Sequence, residues 1–70
     1  MELSRHAKNK LRYLRISEDE LRSAMAQPDA TETGLDGKPN AVVTVRGMLV
    51  RVVYVLEDDE VVVVTAWQEK

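Results

Sequence analysis

Apolar positions crowd the last third of the chain too densely for an amphipathic helix. Eleven valines fall between Val42 and Val64. A branched Cβ restricts χ1 and suits a pleated, packed surface, so this stretch reads as sheet. It is interrupted at Arg46-Gly47 and at Glu57-Asp58-Asp59-Glu60. Both interruptions are turn chemistry, and they divide the stretch into three consecutive antiparallel strands. A two-residue loop at Arg46-Gly47 sets Val45 opposite Met48, Val43 opposite Val50 and Ala41 opposite Val52. A turn over 57–60 sets Leu56 opposite Val61, Tyr54 opposite Val63, Val52 opposite Thr65 and Val50 opposite Trp67.

One face of that sheet carries Ala41, Val43, Val45, Met48, Val50, Val52, Tyr54, Leu56, Val61, Val63 and Trp67. It holds the larger residues and is the expected seat of the helices. The other carries Val42, Thr44, Leu49, Arg51, Val53, Val55, Val62, Val64 and Ala66. A slip of one residue in either turn exchanges the two sets. Both sets are mainly apolar, and a chain with about two helices cannot cover both. The pattern therefore implies a partner surface.

The first third follows a helical period. Leu3, Ala7, Leu11 and Leu14 form one stripe of a helix over about residues 3–14, with Ser4 as a cap. His6, Lys10 and Tyr13 flank the stripe. A second helix starts at Ile16-Ser17-Glu18-Asp19-Glu20-Leu21. Ser17 and Glu20 form a capping box, and Ile16 and Leu21 a hydrophobic staple. The acids of its first turn favour the positive end of the helix dipole. Leu21, Ala24 and Met25 are its buried face, and Pro28 stops it near Ala26 or Gln27. From Asp29 to Asn40 the chain is polar. Ala30-Thr31-Glu32-Thr33 is a weak edge-strand candidate, Asp36-Gly37 a tight turn, and Pro39 suits the first position of a strand. The expectation is one α+β domain over residues 1–70: two N-terminal helices on one face of a three- to four-stranded antiparallel sheet.

Composition narrows the chemistry. The 70 residues include no cysteine and a single histidine, so disulfides and zinc centres of the usual ligand sets are not expected. No basic-then-apolar leader opens the sequence, and the apolar runs are cut by Arg51 or acidic turns. The expectation is a cytoplasmic protein without a membrane span. The formal net charge of −2 conceals a polarity. Residues 1–16 set Arg5, Lys8, Lys10, Arg12 and Arg15 against Glu2, whereas the rest of the chain is acidic. The basic end suits an anion such as RNA or an acidic protein, or it is simply a solvated helix face.

Each candidate residue has a plain alternative role. His6 carries the only imidazole and is a candidate general acid or base; packing on the helix flank is the commoner fate. Arg51 projects from an apolar strand face, either to bind phosphate through its planar fork or to lay its stem over Val42 and Ala66. Arg46 sits in a tight turn, where solvation is expected. Tyr54 and Trp67 can stack on bases, but both are assigned to the helix-covered face and so to the core. The acids of 57–60 lack the spacing and glycine of a calcium loop and read as a solubilising turn.

The segments His6-Ala7-Lys8-Asn9-Lys10-Leu11, Ile16-Ser17-Glu18-Asp19-Glu20-Leu21 and Gln27-Pro28-Asp29 resemble the opening of a family of small bacterial domains. That family's pattern runs HAxxR, then IS followed by acids, then a helix ending in NPD. Lys10 stands where it tends to have arginine, and Leu14-Arg15 where it tends to have Arg-Gly. The family is similar to BrnT toxins of the RelE/ParE superfamily. The resemblance implies a compact αα-then-sheet fold and RNA cleavage without metal or cofactor, by attack of a ribose 2′-hydroxyl. On that chemistry His6 and Arg51 are the catalytic candidates, and Lys10, Arg12 and Arg46 the RNA contacts. ParE-like members bind a protein target instead. The competing expectation is a non-enzymatic interaction module, a homodimer or the receiver of an antitoxin-like protein, acting through the valine-rich face.

Overall fold

The computed structural model describes residues 1–34 and 37–69. Asp36 of the expected Asp36-Gly37 turn, and Lys70, lie outside them. The elements are β1 (Glu2–Leu3), α1 (Arg5–Leu14), α2 (Glu18–Ala26), β2 (Ala30–Thr33), β3 (Pro39–Val45), β4 (Met48–Glu57) and β5 (Glu60–Gln68).

Two serines start the two helices. Ser4 caps α1: its Oγ accepts from the Ala7 N–H at 3.0 Å and donates to the Val64 carbonyl at 2.9 Å. The helix start is thus tied to the sheet by the residue that caps it. Ser17 and Glu20 form the expected capping box at 3.1 and 2.9 Å. Between the helices Arg15 adopts a left-handed conformation, φ 61°, and closes α1 by donating back to Arg12 and Leu11. Ile16 and Leu21, the staple pair, are both buried.

The expected sheet of three to four antiparallel strands is incorrect. The described residues form a five-stranded mixed sheet, ordered β1-β5-β4-β3-β2. β2 through β5 are antiparallel neighbours, but β1 runs parallel to β5, with Glu2 beside Val62 and Leu3 beside Val63. Leu3 misled because its spacing to Ala7 fits a helical stripe. A strand of two residues has no periodicity of its own, and its identity comes from the neighbour it meets.

Two type I′-like turns join the long strands. Arg46 and Gly47 have φ of 49° and 79°, and Asp58 and Asp59 have 49° and 66°. This twist matches that of antiparallel strands. The expected partners Val45–Met48, Val43–Val50, Ala41–Val52, Leu56–Val61 and Tyr54–Val63 are all present. Beyond Tyr54 the ladder slips. Val53 pairs with Thr65 and Tyr54 with Val63, so Val64 is an extra residue on β5. A bulge of this kind reverses the facing of everything after it. Val52 therefore meets Ala66 rather than Thr65, and Val50 meets Gln68 rather than Trp67. Ala66 is fully buried in the core, and Trp67 is moved to the other face, 42% exposed.

α1 packs on β5 and α2 on β3, both on the face carrying Ala41, Val43, Val45, Val50, Val52, Val63 and Ala66. Ala7, Leu11, Ile16 and Leu21 complete the core. Each large aliphatic side chain fully buried there contributes about 1.5–3 kcal/mol. Leu56, assigned to the same face, is 64% exposed, because its end of the β4–β5 hairpin extends past the helices. No helix among the described residues is long and apolar enough to cross a membrane.

Candidate functional site

The sheet separates the residues that sequence reasoning grouped together. His6, Lys10 and Arg12 lie exposed on α1, in the helix layer. Arg46 occupies the β3–β4 turn and bends toward that layer. Its guanidinium pairs with the Glu20 carboxylate and donates to the Arg15 carbonyl at 2.7 Å. It thus ties the end of α1 to the start of α2, where plain solvation was expected. Arg51 projects from the opposite face of the sheet. It cannot share a phosphate with the cations of α1, because a packed sheet and a helix layer lie between them.

Arg51 is instead surrounded by oxygen. It lies beside Val42 on β3 and Trp67 on β5. Its Nε and Nη2 both reach Glu69 Oε1, at 2.8 and 2.7 Å, and its Nη1 reaches Glu32 Oε2 at 3.1 Å and the Asn40 side-chain oxygen. The Trp67 indole N–H donates to the second Glu69 oxygen at 3.1 Å. The hydrogen bond to Glu69 raises the guanidinium pKa above its ordinary value. The same bond holds the Glu69 carboxyl below the usual glutamate range. Both carboxylates lie where a phosphate would have to approach. Sequence reasoning missed Asn40, Glu32 and Glu69, although a signal existed. With Ala41 opposite Val52, Val42 falls opposite Arg51 and Asn40 lies one step away, so a polar residue beside a lone strand arginine was readable.

Around this cluster the open face is aliphatic. Val42, Val53, Val55 and Val62 are half-buried, and Leu49 is 44% exposed. Their sheet neighbours already shelter the valines, so each has less to gain from a cover than a free valine side chain. Leu49 and Trp67 are the larger open surfaces on this side.

The clefts lie elsewhere. One of about 490 Å³ runs between α2 and the β3–β4 turn, lined by Asp19, Glu20, Ser23, Ala24, Thr44, Val45 and Arg46. Another of about 130 Å³ lies between α1 and β5, lined by Lys10, Tyr13, Leu14, Ala66, Trp67 and Gln68. Neither brings His6 to Arg51. Among the described residues no cluster of three or more His, Cys, Asp or Glu side chains is placed to hold a metal ion. The charged tip at 57–60 is an exposed hairpin turn.

Residues 3–68 match the family described as a domain of unknown function, DUF4258. No curated protein and no solved structure matches the chain.

Proposed function

The chain belongs to the DUF4258 family, whose description carries no activity, and we propose that it is a non-enzymatic protein-interaction module that docks through the open face of its sheet. The observation that carries this reading is the one-sided cover: both helices lie on one face, and the other presents Val42, Leu49, Val53, Val55, Val62 and Trp67. Exposed apolar side chains rimmed by charge are a feature of recognition sites, and here Leu49 and Trp67 stand open beside the Arg51–Glu69 pair. The placement of Arg51 against Glu32 and Glu69 speaks against phosphate chemistry on the same face.

A cross-linking experiment tests the reading. A photoreactive amino acid at Leu49 on the open face yields discrete protein adducts in cells. The same group at Arg22, exposed on α2, does not. Equal labelling from both positions, or none from Leu49, overturns the proposal, as does cleavage of RNA by the purified chain.

A second reading, anion binding without cleavage, has its own support. Arg5, Lys8, Lys10 and Arg12 are exposed on α1, and no carboxylate among the described residues forms an ion pair with them. The toxin-like ribonuclease implied by resemblance to BrnT has less support, since these cations and Arg51 lie on opposite sides of the sheet.

A further inference from the structure

In the helix layer α1 presents Arg5, Lys8, Lys10 and Arg12, while the first turn of α2 carries Glu18, Asp19 and Glu20. On the open sheet face Arg51 is already engaged by Glu32 and Glu69. Alternation along the β4–β5 hairpin adds Glu57 and Glu60, which pair across the ladder next to the Asp58-Asp59 turn. Glu60 is partly answered by the Met1 amine at 3.5 Å. Between these two groups of carboxylates run Val53, Val55 and Val62, with Thr65 beside Val53. The face is thus an aliphatic strip with acids at both ends.

From this pattern we infer that the face docks a separate polypeptide, an amphipathic helix whose aliphatic stripe is flanked by lysine or arginine, and not a second copy of the chain. The inference rests on the interaction-module reading and assigns the chemistry of its partner. Two copies placed face to face would bring Glu32, Glu57, Glu60 and Glu69 against the same acids, with Arg51 already committed. Like charges brought together at an interface are strongly unfavourable. The same sign repels a phosphate backbone. A basic amphipathic helix meets both requirements, since its stripe covers the valines and its long cationic side chains reach outward to the carboxylates.

Trp67 makes the inference measurable, because it is the single tryptophan and lies on this face. The probes are two 18-residue helical peptides with the same leucine stripe, one flanked by lysine and the other by glutamate. The lysine peptide gives a saturable shift of Trp67 emission that weakens with salt, and the glutamate peptide gives none. Val53→Lys and Leu49→Lys, on the face, weaken binding by about tenfold or more, the equivalent of about 1.4 kcal/mol. Ala26→Lys makes the same charge change on exposed α2 and leaves binding unchanged. Circular dichroism confirms that each variant is folded. Binding of the glutamate peptide as tightly as the lysine peptide overturns the inference but spares the docking face. So does a wild-type dimer in sedimentation that Val53→Lys dissociates, which would make the partner a second copy. Failure of both peptides, with a strict monomer and no cross-link from Leu49, overturns the inference and the proposed function together.

Discussion

Arg51 closes on one oxygen of Glu69, with Nε and Nη2 both donating to Oε1 at 2.8 and 2.7 Å. The Glu69 carboxyl is held below its usual pKa chiefly by this hydrogen bond. A depressed carboxylate contributes stability that is present above its unfolded pKa and is lost as pH falls through its folded value. The unfolded value is about 4.3, so the contribution is intact at neutral pH and declines as the solution is acidified below that point. Glu69→Gln flattens this part of the acid limb, read as denaturation midpoint against pH between neutrality and strong acid. An acid limb with the same slope in wild type and variant counts against the pairing. The raised Arg51 pKa has no effect over this range, since the guanidinium is charged throughout.

The same pair marks the limit of what the chain's pattern discloses. Capping at Ser17, the stop before Pro28, the turn pairs at 46–47 and 58–59 and the edge strand over 30–33 are local chemistry, and each was legible from a few neighbouring residues. The second half of the β5 register was not. An extra residue at Val64 leaves no mark in a run of four valines, because every member of such a run fits either face equally well. Trp67 and Ala66 were therefore assigned to each other's sides. β1 was illegible for a different reason: a two-residue strand depends on where Val63 lies, which is tertiary information. That His6 and Arg51 lie on opposite sides of the sheet was illegible for that reason too. Charge and chemistry in a list of residues carry no record of which side of a sheet each one reaches.

The α2 start offers a ranking by mechanism. Ser17→Ala removes the Oγ that accepts from the Glu20 N–H at 3.1 Å and costs about 0.5–2 kcal/mol. Leu21→Ala empties a fully buried position and costs about 2–5 kcal/mol. Urea denaturation ranks the two. A larger loss from Ser17→Ala would contradict the burial of Leu21. Arg46→Ala also loosens α2, because it releases Glu20 and the Arg15 carbonyl.

The acidic hairpin tip holds stability in reserve. Asp58 and Asp59 both have positive φ, 49° and 66°, in a turn type that favours Asn-Gly. They also set two like charges side by side. Asp59→Gly relieves the left-handed penalty of about 1–2 kcal/mol on an L side chain and removes one charge, a gain that the greater unfolded-chain entropy of glycine partly offsets, so the net change is stabilising. Asp58→Asn adds a smaller gain of the same sign. The rise in thermal midpoint is expected to shrink in high salt for the charge component and to persist for the backbone component. An unchanged or lowered midpoint would show that the turn is not confined to this conformation.

RNA provides the sharpest test of where anions bind. The exposed cations of α1, Lys10 and Arg12 among them, have no carboxylate partner among the described residues, whereas Arg51 has two. Any affinity for single-stranded RNA should therefore reside on α1 and fall with salt, since each phosphate contact releases counterions with a slope of about −0.7 per contact. Lys10→Glu and Arg12→Glu lower that affinity and its salt slope together. Arg51→Ala leaves both unchanged while lowering the denaturation midpoint, because Glu32 and Glu69 are left facing each other without their cation. The RNA stays intact in chelator at low salt for wild type and variants alike. Loss of binding in Arg51→Ala with fold preserved would return the open face to phosphate chemistry, and cleavage that His6→Ala abolishes would place it on the helix side.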